Sequence, residues 1–228
     1  MLRFDDVTIR RGDFALRASL EVGPGLTAVI GPSGGGKSTL LSAVAGFEEP
    51  AQGRVLWNGE SLSGQAPGAR PLAMLFQDQN LFPHLSIAEN VGLGLRPALK
   101  LTADERARVE DALTSVGLAG MGTRRPAQLS GGQQSRAALA RVLVSGAPLV
   151  LLDEPFAALG PGLRVEMLEL VARVLKGRVV LLVSHTPEDA RQGAARTILV
   201  AQGVAHAPVE TGALFDAPPA ALRDYLGR

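Results

Sequence analysis

Gly31 to Thr39 reads GPSGGGKST and follows directly on the apolar run LTAVI, Leu26 to Ile30. Gly31, Gly36, Lys37 and Ser38 satisfy the spacing G-x-x-x-x-G-K-S/T, at the place where a buried strand is expected to turn into a helix carrying Leu40, Leu41, Val44 and Ala45. Glycines let successive backbone N–H groups converge on an anion without Cβ clashes, and the N-terminus of the following helix adds partial positive charge. Gly31, Pro32, Ser33, Gly34, Gly35, Gly36, Lys37, Ser38 and Thr39 are therefore expected to cradle the phosphates of ATP. Lys37 would neutralise them and the Ser38 hydroxyl would reach Mg²⁺. An ordinary glycine-rich turn has no need of a Lys-Ser pair at the head of a helix.

Outward from this loop, two styles of strand appear. Phe14, Leu16, Ala18, Leu20 and Val22 alternate with Arg17, Ser19 and Glu21, the period of two of a strand with one wet face, so the chain is expected to begin as antiparallel sheet. Leu26–Ile30, Leu72–Phe76, Leu149–Leu152, Val179–Val183 and Ile198–Ala201 are instead continuously apolar, as parallel strands covered by helices on both faces would be. Helices are marked by a capping box at Thr102 and Glu105, by Thr186 before Pro187, and by the stripe Leu163, Met167, Leu170, Val171 and Val174. Roughly seventy residues separate the strand at Leu72–Phe76 from that at Leu149–Leu152, too many for a simple crossover, and a helical insertion is the economical reading. The expectation is an α/β P-loop NTPase core with a mainly parallel sheet, an N-terminal antiparallel β-subdomain and an inserted α-helical subdomain over about residues 78–145, all within one domain spanning 1–228.

Bulk composition narrows the classes. With 228 residues and 46% apolar content the chain can bury a substantial core. Lys and Arg total 23 against 22 Asp and Glu, which leaves no electrostatic footprint for nucleic acid and no polybasic tract for lipid headgroups. The absence of cysteine removes disulfides, thiolate chemistry and Cys-ligated metals. The N-terminus MLRFDDVTIRR carries charge where a signal peptide needs an apolar core, and no run approaches the roughly 20 apolar residues of a membrane-spanning helix. Any membrane contact is expected to come through a protein partner.

Four further segments carry chemistry. Val150 to Glu154 reads VLLDE, an apolar strand ending in adjacent carboxylates whose side chains point in different directions. Asp153 would hold Mg²⁺ and Glu154 would orient or deprotonate the water that attacks the γ-phosphate. Gln77, at another strand end, has a carboxamide able to touch both Mg²⁺ and that water, and His185, in LLVSHTPEDA, could hydrogen-bond the γ-phosphate. Leu129 to Gln133 reads LSGGQ: Ser130 is a natural N-cap, and Gly131 and Gly132 leave N–H groups open at the start of a helix through Leu143, a second anion site.

Together these residues resemble the ATP-binding subunits of ABC transporters along essentially the whole chain. The resemblance implies an ATPase with Gly31–Thr39 as Walker A, Gln77 as the Q-loop, Ser130, Gly131, Gly132 and Gln133 within the signature, Asp153 and Glu154 closing Walker B, and His185 as the switch histidine. It implies a head-to-tail dimer that holds each ATP between the Walker A of one copy and the signature of the other. It also implies a transmembrane permease, an indirect partner in a periplasmic or extracellular substrate-binding protein, and a place on the cytoplasmic face of a bacterial inner membrane. The stretch MLFQDQNLFPHLSIAENVGLGLRPALKL, Met74 to Leu101, is similar more narrowly to the ATP-binding subunits of bacterial thiamine importers, which implies thiamine or its phosphates as cargo. Within it Leu81, Phe82, Pro83, His84 and Leu85 are the candidates for contact with the permease. An importer of another solute, such as an inorganic anion or a polyamine, and a soluble non-transport ABC protein are the competing readings; near-neutral charge and the lack of a second ATPase domain argue against the latter. A P-loop kinase would leave LSGGQ without a purpose. The chain departs from the family pattern twice: Ala157, Ala158, Leu159 and Gly160 stand where S-A-L-D is usual, and Arg11 stands where an aromatic residue stacks on adenine, with Phe14 as the alternative.

Overall fold

A computed structural model describes residues 1–78 and 80–227; Gln79, inside the Met74–Leu101 stretch, lies outside the described residues. The hairpin Leu2–Arg11 (β1) and Phe14–Val22 (β2) leads into Gly25–Ile30 (β3) and the helix Lys37–Ala45 (α1). Gln52–Trp57 (β4) and Glu60–Ser61 (β5) extend that hairpin before Leu72–Leu75 (β6). Among the described residues three α-helices, Ile87–Gly92 (α2), Ala103–Ser115 (α3) and Gly131–Ser145 (α4), separate β6 from Leu149–Asp153 (β7). Pro161–Val174 (α5), Val179–Val183 (β8), Pro187–Gly193 (α6) and Arg196–Ala201 (β9) follow. Two short strands, Val204–Ala205 (β10) and Val209–Glu210 (β11), and two helices, Thr211–Asp216 (α7) and Ala220–Leu226 (α8), end the chain.

The continuously apolar runs are parallel neighbours in the order β6-β7-β8-β3-β9, whereas β2, β1, β4 and β5 pair antiparallel. β10 welds the two parts, running antiparallel to β9 and parallel to β2, so one sheet passes through both. Its two residues carry no pattern that would have revealed them. Successive side chains of a strand face opposite sides, and here each side is buried. Ala28, Ile30, Val150, Leu152, Val180 and Leu182 join the cluster under α3, α4 and α5. Val29, Leu149, Leu151, Val179, Leu181 and Val183 join another with α1 and the inner face of the antiparallel strands. Helix α1 is thus clamped between two sheet surfaces, which fixes the loop that precedes it.

Two sequence expectations shift. β6 stops at Leu75, one residue before Phe76, and Leu72, Ala73 and Met74 are only half-buried, because β6 pairs with β7 alone and so forms an edge. In α5 Met167, Leu170 and Val171 are buried as the stripe requires, but Leu163 is 45% exposed in the first turn, beside Gly132 at the head of α4.

The C-terminal end of α1 is held by Arg70. Its guanidinium, 1% exposed, donates to the carbonyls of Ala43 (2.8 Å), Val44 (2.9 Å) and Gln65 (3.0 Å) and to Glu49 Oε1 (3.0 Å). Gly46, in the left-handed region at φ 86°, lets it pass: a Cβ there would sit 2.5 Å from Arg70 Nε. Burial lowers the pKa of Arg70, with Glu49 opposing. Arg70→Met strands backbone acceptors that water reaches poorly, and the expected cost is about 3 kcal/mol. Urea unfolding would show it as a lower midpoint at unchanged slope.

Candidate functional site

Parallel pairing in register brings the C-terminal ends of four strands to one edge, since Val29 and Asp153 both sit beside Val183 and Leu75 sits beside Leu152. The residues that follow, Gly31, Asp153 with Glu154, His185 and Gln77, therefore emerge together, at the edge where open α/β sheets bind ligands. At Gly31 a Cβ would lie 2.0 Å from the Val200 carbonyl oxygen, so a side chain is sterically barred where β3 enters the loop. Gly36 is the left-handed N-cap of α1 and supplies no side-chain hydrogen bond, which leaves the first-turn N–H groups without a side-chain cap.

Lys37 is buried, and Nζ donates to the carbonyls of Gly31 (2.8 Å) and Pro32 (3.0 Å). Burial pushes its pKa down, with Glu154 and then Asp153 opposing. Ser38 Oγ donates to Asp153 Oδ1 at 3.2 Å. Burial pushes the Asp153 carboxyl up; the Ser38 hydrogen bond opposes this and Glu154 adds to it. A hydroxyl and a carboxylate side by side next to the glycine-rich loop are hard oxygen donors of the kind that hold Mg²⁺ jointly with substrate phosphates, so the donor set fits that ion. Among the described residues no cluster of three acidic or histidine ligands exists that would hold a metal without such phosphates.

Glu154 has φ 47°, a left-handed backbone that costs a non-glycine residue energy and is found disproportionately at working sites. Its N–H donates to the Val183 carbonyl at 3.1 Å, and its Oε2 lies 2.9 Å from His185 Nδ1. A cavity of about 370 Å³ is lined by Ser33, Gly34, Gly36, Lys37, Ser38 and Thr39 of the loop, by Glu154, and by Arg11 and Phe14. That volume suits a small-molecule ligand. Arg11 is largely exposed at its rim and paired with Glu48 at 3.0 Å. Phe14 is tucked under the loop, where a Cβ at Gly36 would come within 2.9 Å of its ring. Gln77 is exposed in the turn after β6. A roomier apolar groove of about 440 Å³ beside α3, lined by Ala88, Leu99, Leu101 and Val109 among others, includes none of these strand ends.

Residues 129–133 do not line the phosphate-loop cavity. Ser130 caps α4 in a capping box: its Oγ accepts from the Gln133 N–H (3.3 Å) and Gln133 Oε1 accepts from the Ser130 N–H (3.0 Å). A Cβ on Gly131 would meet nothing within 4 Å, so this helix start faces open space. One chain therefore brings together the loop, Asp153, Glu154 and His185, and leaves LSGGQ apart from them. Gly160 is the N-cap of α5, also with open space at its Cβ position, so the aspartate of the family pattern is missing there rather than sterically excluded.

Sequence reasoning passed over three residues that shape this edge. Asn90 is fully buried; its Oδ1 accepts from the Phe82 N–H (2.7 Å), and its Nδ2 donates to the carbonyls of Phe82 (3.0 Å), Leu85 (3.3 Å) and Ser86 (2.9 Å). The Leu81–Leu85 loop is thereby pinned with Phe82 46% exposed. The S-x-x-E spacing of Ser86 and Glu89, a capping box that opens α2, was a readable signal for the helix that carries Asn90. Tyr225 of α8 donates to the His185 carbonyl oxygen, and burial, together with Glu188, Glu154 and Asp189, raises its pKa. Arg164 of α5 reaches the loops on either side of the site. Neither has a sequence signature.

Residues 17–157 match the ABC transporter family, and the chain belongs to that family as one of its ATPases. Over its whole length it is 60% identical to the thiamine import ATP-binding protein ThiQ of Cereibacter sphaeroides and 56% identical to that of Ruegeria sp. strain TM1040, each alignment covering 100% of both chains. Two dimeric structures of MJ0796, described as a bacterial ABC transporter cassette, one of them in a post-hydrolysis state bound to ADP and Pi, superpose with TM-scores of 0.77 and 0.76. Each is 28% identical and covers 92% of this chain and 99% of the cassette. Among the described residues no helix is long and apolar enough to cross a membrane.

Proposed function

We propose that this chain is the ATP-hydrolysing subunit of an importer for thiamine or its phosphates, working as a head-to-tail pair on the cytoplasmic face of the bacterial inner membrane. Full-length identity of 60% to a thiamine import ATP-binding protein is the observation that carries the cargo. The convergence of the phosphate loop, Asp153, Glu154 and His185 on one edge supports the chemistry.

In this reading the loop N–H groups and Lys37 receive the β- and γ-phosphates of ATP, with Nζ exchanging its two backbone carbonyls for phosphate oxygens. Ser38, Asp153 and Gln77 would hold Mg²⁺, whose charge offsets the negative charge of the phosphates. Glu154 takes a proton from water as the water oxygen bonds the γ-phosphorus and the bond to the β–γ bridging oxygen breaks, leaving ADP and phosphate. His185, against the same carboxylate, orients that exchange. Ser130, Gly131, Gly132 and Gln133 of the second copy complete the site with the open start of α4. Residues 78–145 act as the helical subdomain that presents this start to the partner copy. The permease contacts the pinned loop at Leu81–Leu85, where Phe82 offers apolar surface, and the substrate-binding protein acts through the permease.

Proteoliposomes carrying this ATPase with its cognate permease, supplied with the binding protein, test the proposal. The expected outcome is thiamine uptake that requires ATP and stops when Mg²⁺ is chelated. Uptake of an inorganic anion or a polyamine in place of thiamine would overturn the cargo.

A further inference from the structure

Arg164 lies in the first turn of α5 and is mostly buried. One terminal nitrogen, Nη2, donates to the carbonyls of Leu159 (3.2 Å) and Ala157 (3.4 Å), in the loop that follows Glu154. The other, Nη1, donates to Thr186 Oγ1 at 3.1 Å and lies 3.9 Å from Asp189 Oδ1, in the segment that follows His185. That second segment is itself cross-linked. Asp189 Oδ2 accepts from Ser184 Oγ at 2.6 Å, Ser184 Oγ accepts from the Thr186 N–H at 3.0 Å, and the Ser184 N–H donates to Val29 of β3 at 3.2 Å. A small cavity of about 10 Å³, room for at most one water, is enclosed between Glu154, Ala157, Arg164, Ser184, His185 and Asp189. Arg164 Nε, within the same residue, is buried without an acceptor.

We propose that Arg164 is a positioning residue for hydrolysis: its fork ties the loop after Glu154 to the loop after His185 and so sets the distance between their two side chains. The inference rests on Glu154 and His185 acting as proposed above. Its physical basis is geometric. A planar guanidinium has fixed donor directions, so it transmits a displacement of either loop to the other, whereas an ammonium is a point charge that satisfies one loop and releases the second. Glu154 and His185 each arrive on a separate strand and their side chains meet at 2.9 Å, so a small relative slide of the two loops breaks the contact. Misplacement of about 1 Å at reacting groups is enough to slow chemistry up to about 100-fold.

Steady-state ATP turnover by Arg164→Lys tests this, with Thr186→Val as a second variant that removes only the hydroxyl acceptor. Arg164→Lys is expected to lower kcat about ten-fold and Thr186→Val about three-fold, each with KM for ATP within about two-fold of wild type, because Arg164 bonds neither the phosphate loop nor Lys37. The double variant is expected to fall no further than Arg164→Lys alone, since both changes cut the same link. Wild-type kcat in Thr186→Val and Arg164→Lys, a rise in KM as large as the fall in kcat, or additive losses in the double variant would each overturn the proposal. Should Arg164→Lys fail to fold, the Thr186→Val kcat decides alone. Glu154→Gln run alongside separates the two levels: if it retains wild-type turnover, the reading of the site falls, whereas if it is inactive while both variants turn over normally, only the role of Arg164 falls.

Discussion

Glu154→Gln is expected to bind ATP as the wild type does and to hydrolyse it about 100- to 1000-fold more slowly. The carboxamide keeps the size and hydrogen-bonding reach of the carboxylate but has no basicity toward water. In transition-state terms the loss is about 3 to 4 kcal/mol. Binding is expected to survive because the proposed phosphate cradle is Gly31–Thr39, and Glu154 contributes to the cavity wall without bonding the loop. A left-handed φ of 47° is as demanding for Gln as for Glu, so the backbone strain is the same in both proteins and fold stability should differ little. The measurement pairs single-turnover hydrolysis with equilibrium nucleotide binding. A variant that hydrolyses at the wild-type rate would remove Glu154 from the chemistry, and a variant that fails to bind would place it in the cradle instead. Because the variant would hold ATP without consuming it, sedimentation in excess nucleotide should also show more dimer than the wild type after the same incubation.

Why was the edge that carries Glu154 readable from the chain alone, while its supports were not? The parallel core has only one way to satisfy continuously apolar runs such as Leu149–Leu152 and Val179–Val183, which is burial on both faces, and their parallel pairing brings the polar residues after their C-terminal ends to one edge. Asp153, Glu154 and His185 were thus located by the ends of apolar runs, and the loop at Gly31–Thr39 by its spacing. The weld through β10 was invisible because two residues carry no period, and β1 was obscured by the bulge between Phe4 and Val7 that breaks its alternation. Arg164, Tyr225, Asn90 and Arg70 were illegible for a different reason. Each acts by donating to backbone carbonyls, nearby in the chain for Asn90 and Arg164 and distant for Arg70 and Tyr225, and in sequence such residues look like any polar residue on a helix or in a loop. Ser86 and Glu89 are the exception, since a capping box is a local pattern and the spacing alone announces the start of α2.

The same distinction separates the two departures from the family pattern. Gly160 sits at a helix N-cap with open space around it, so an aspartate would fit there and would cap α5; the loop it belongs to is instead held by Arg164 from within the chain. At the nucleotide rim Phe14 is wedged beneath the loop while Arg11 stands exposed beside Glu48, so of the two side chains Arg11 is the one with a face available to a base.

Lys37→Met is expected to weaken ATP binding at least about 100-fold while leaving the nucleotide-free fold within about 1 kcal/mol of wild type. In the absence of nucleotide the Lys37 ammonium is buried against two carbonyls, those of Gly31 and Pro32, and its pKa is lowered by that burial. Methionine fills the same channel without a charge to desolvate, so the two lost hydrogen bonds are largely offset. With ATP the balance reverses, because phosphate oxygens give the ammonium charge-assisted partners that methionine cannot replace. The check is thermal unfolding with and without Mg-ATP. A ligand at 100 times its dissociation constant stabilises by about 2.7 kcal/mol, so the wild-type midpoint should rise by several degrees, whereas Lys37→Met, at about its own dissociation constant or below, should gain at most about 0.4 kcal/mol, roughly one degree. The sign of the pH dependence provides a second readout. A lysine whose pKa is depressed in the folded state makes the unfolded chain the better proton binder. Nucleotide-free stability therefore gains from Lys37 as pH climbs from the lowered value toward the ordinary 10.5, and the variant should lack that increment. An equal midpoint shift with Mg-ATP in both proteins would show that the loop amides alone hold the phosphates and that Lys37 serves the fold.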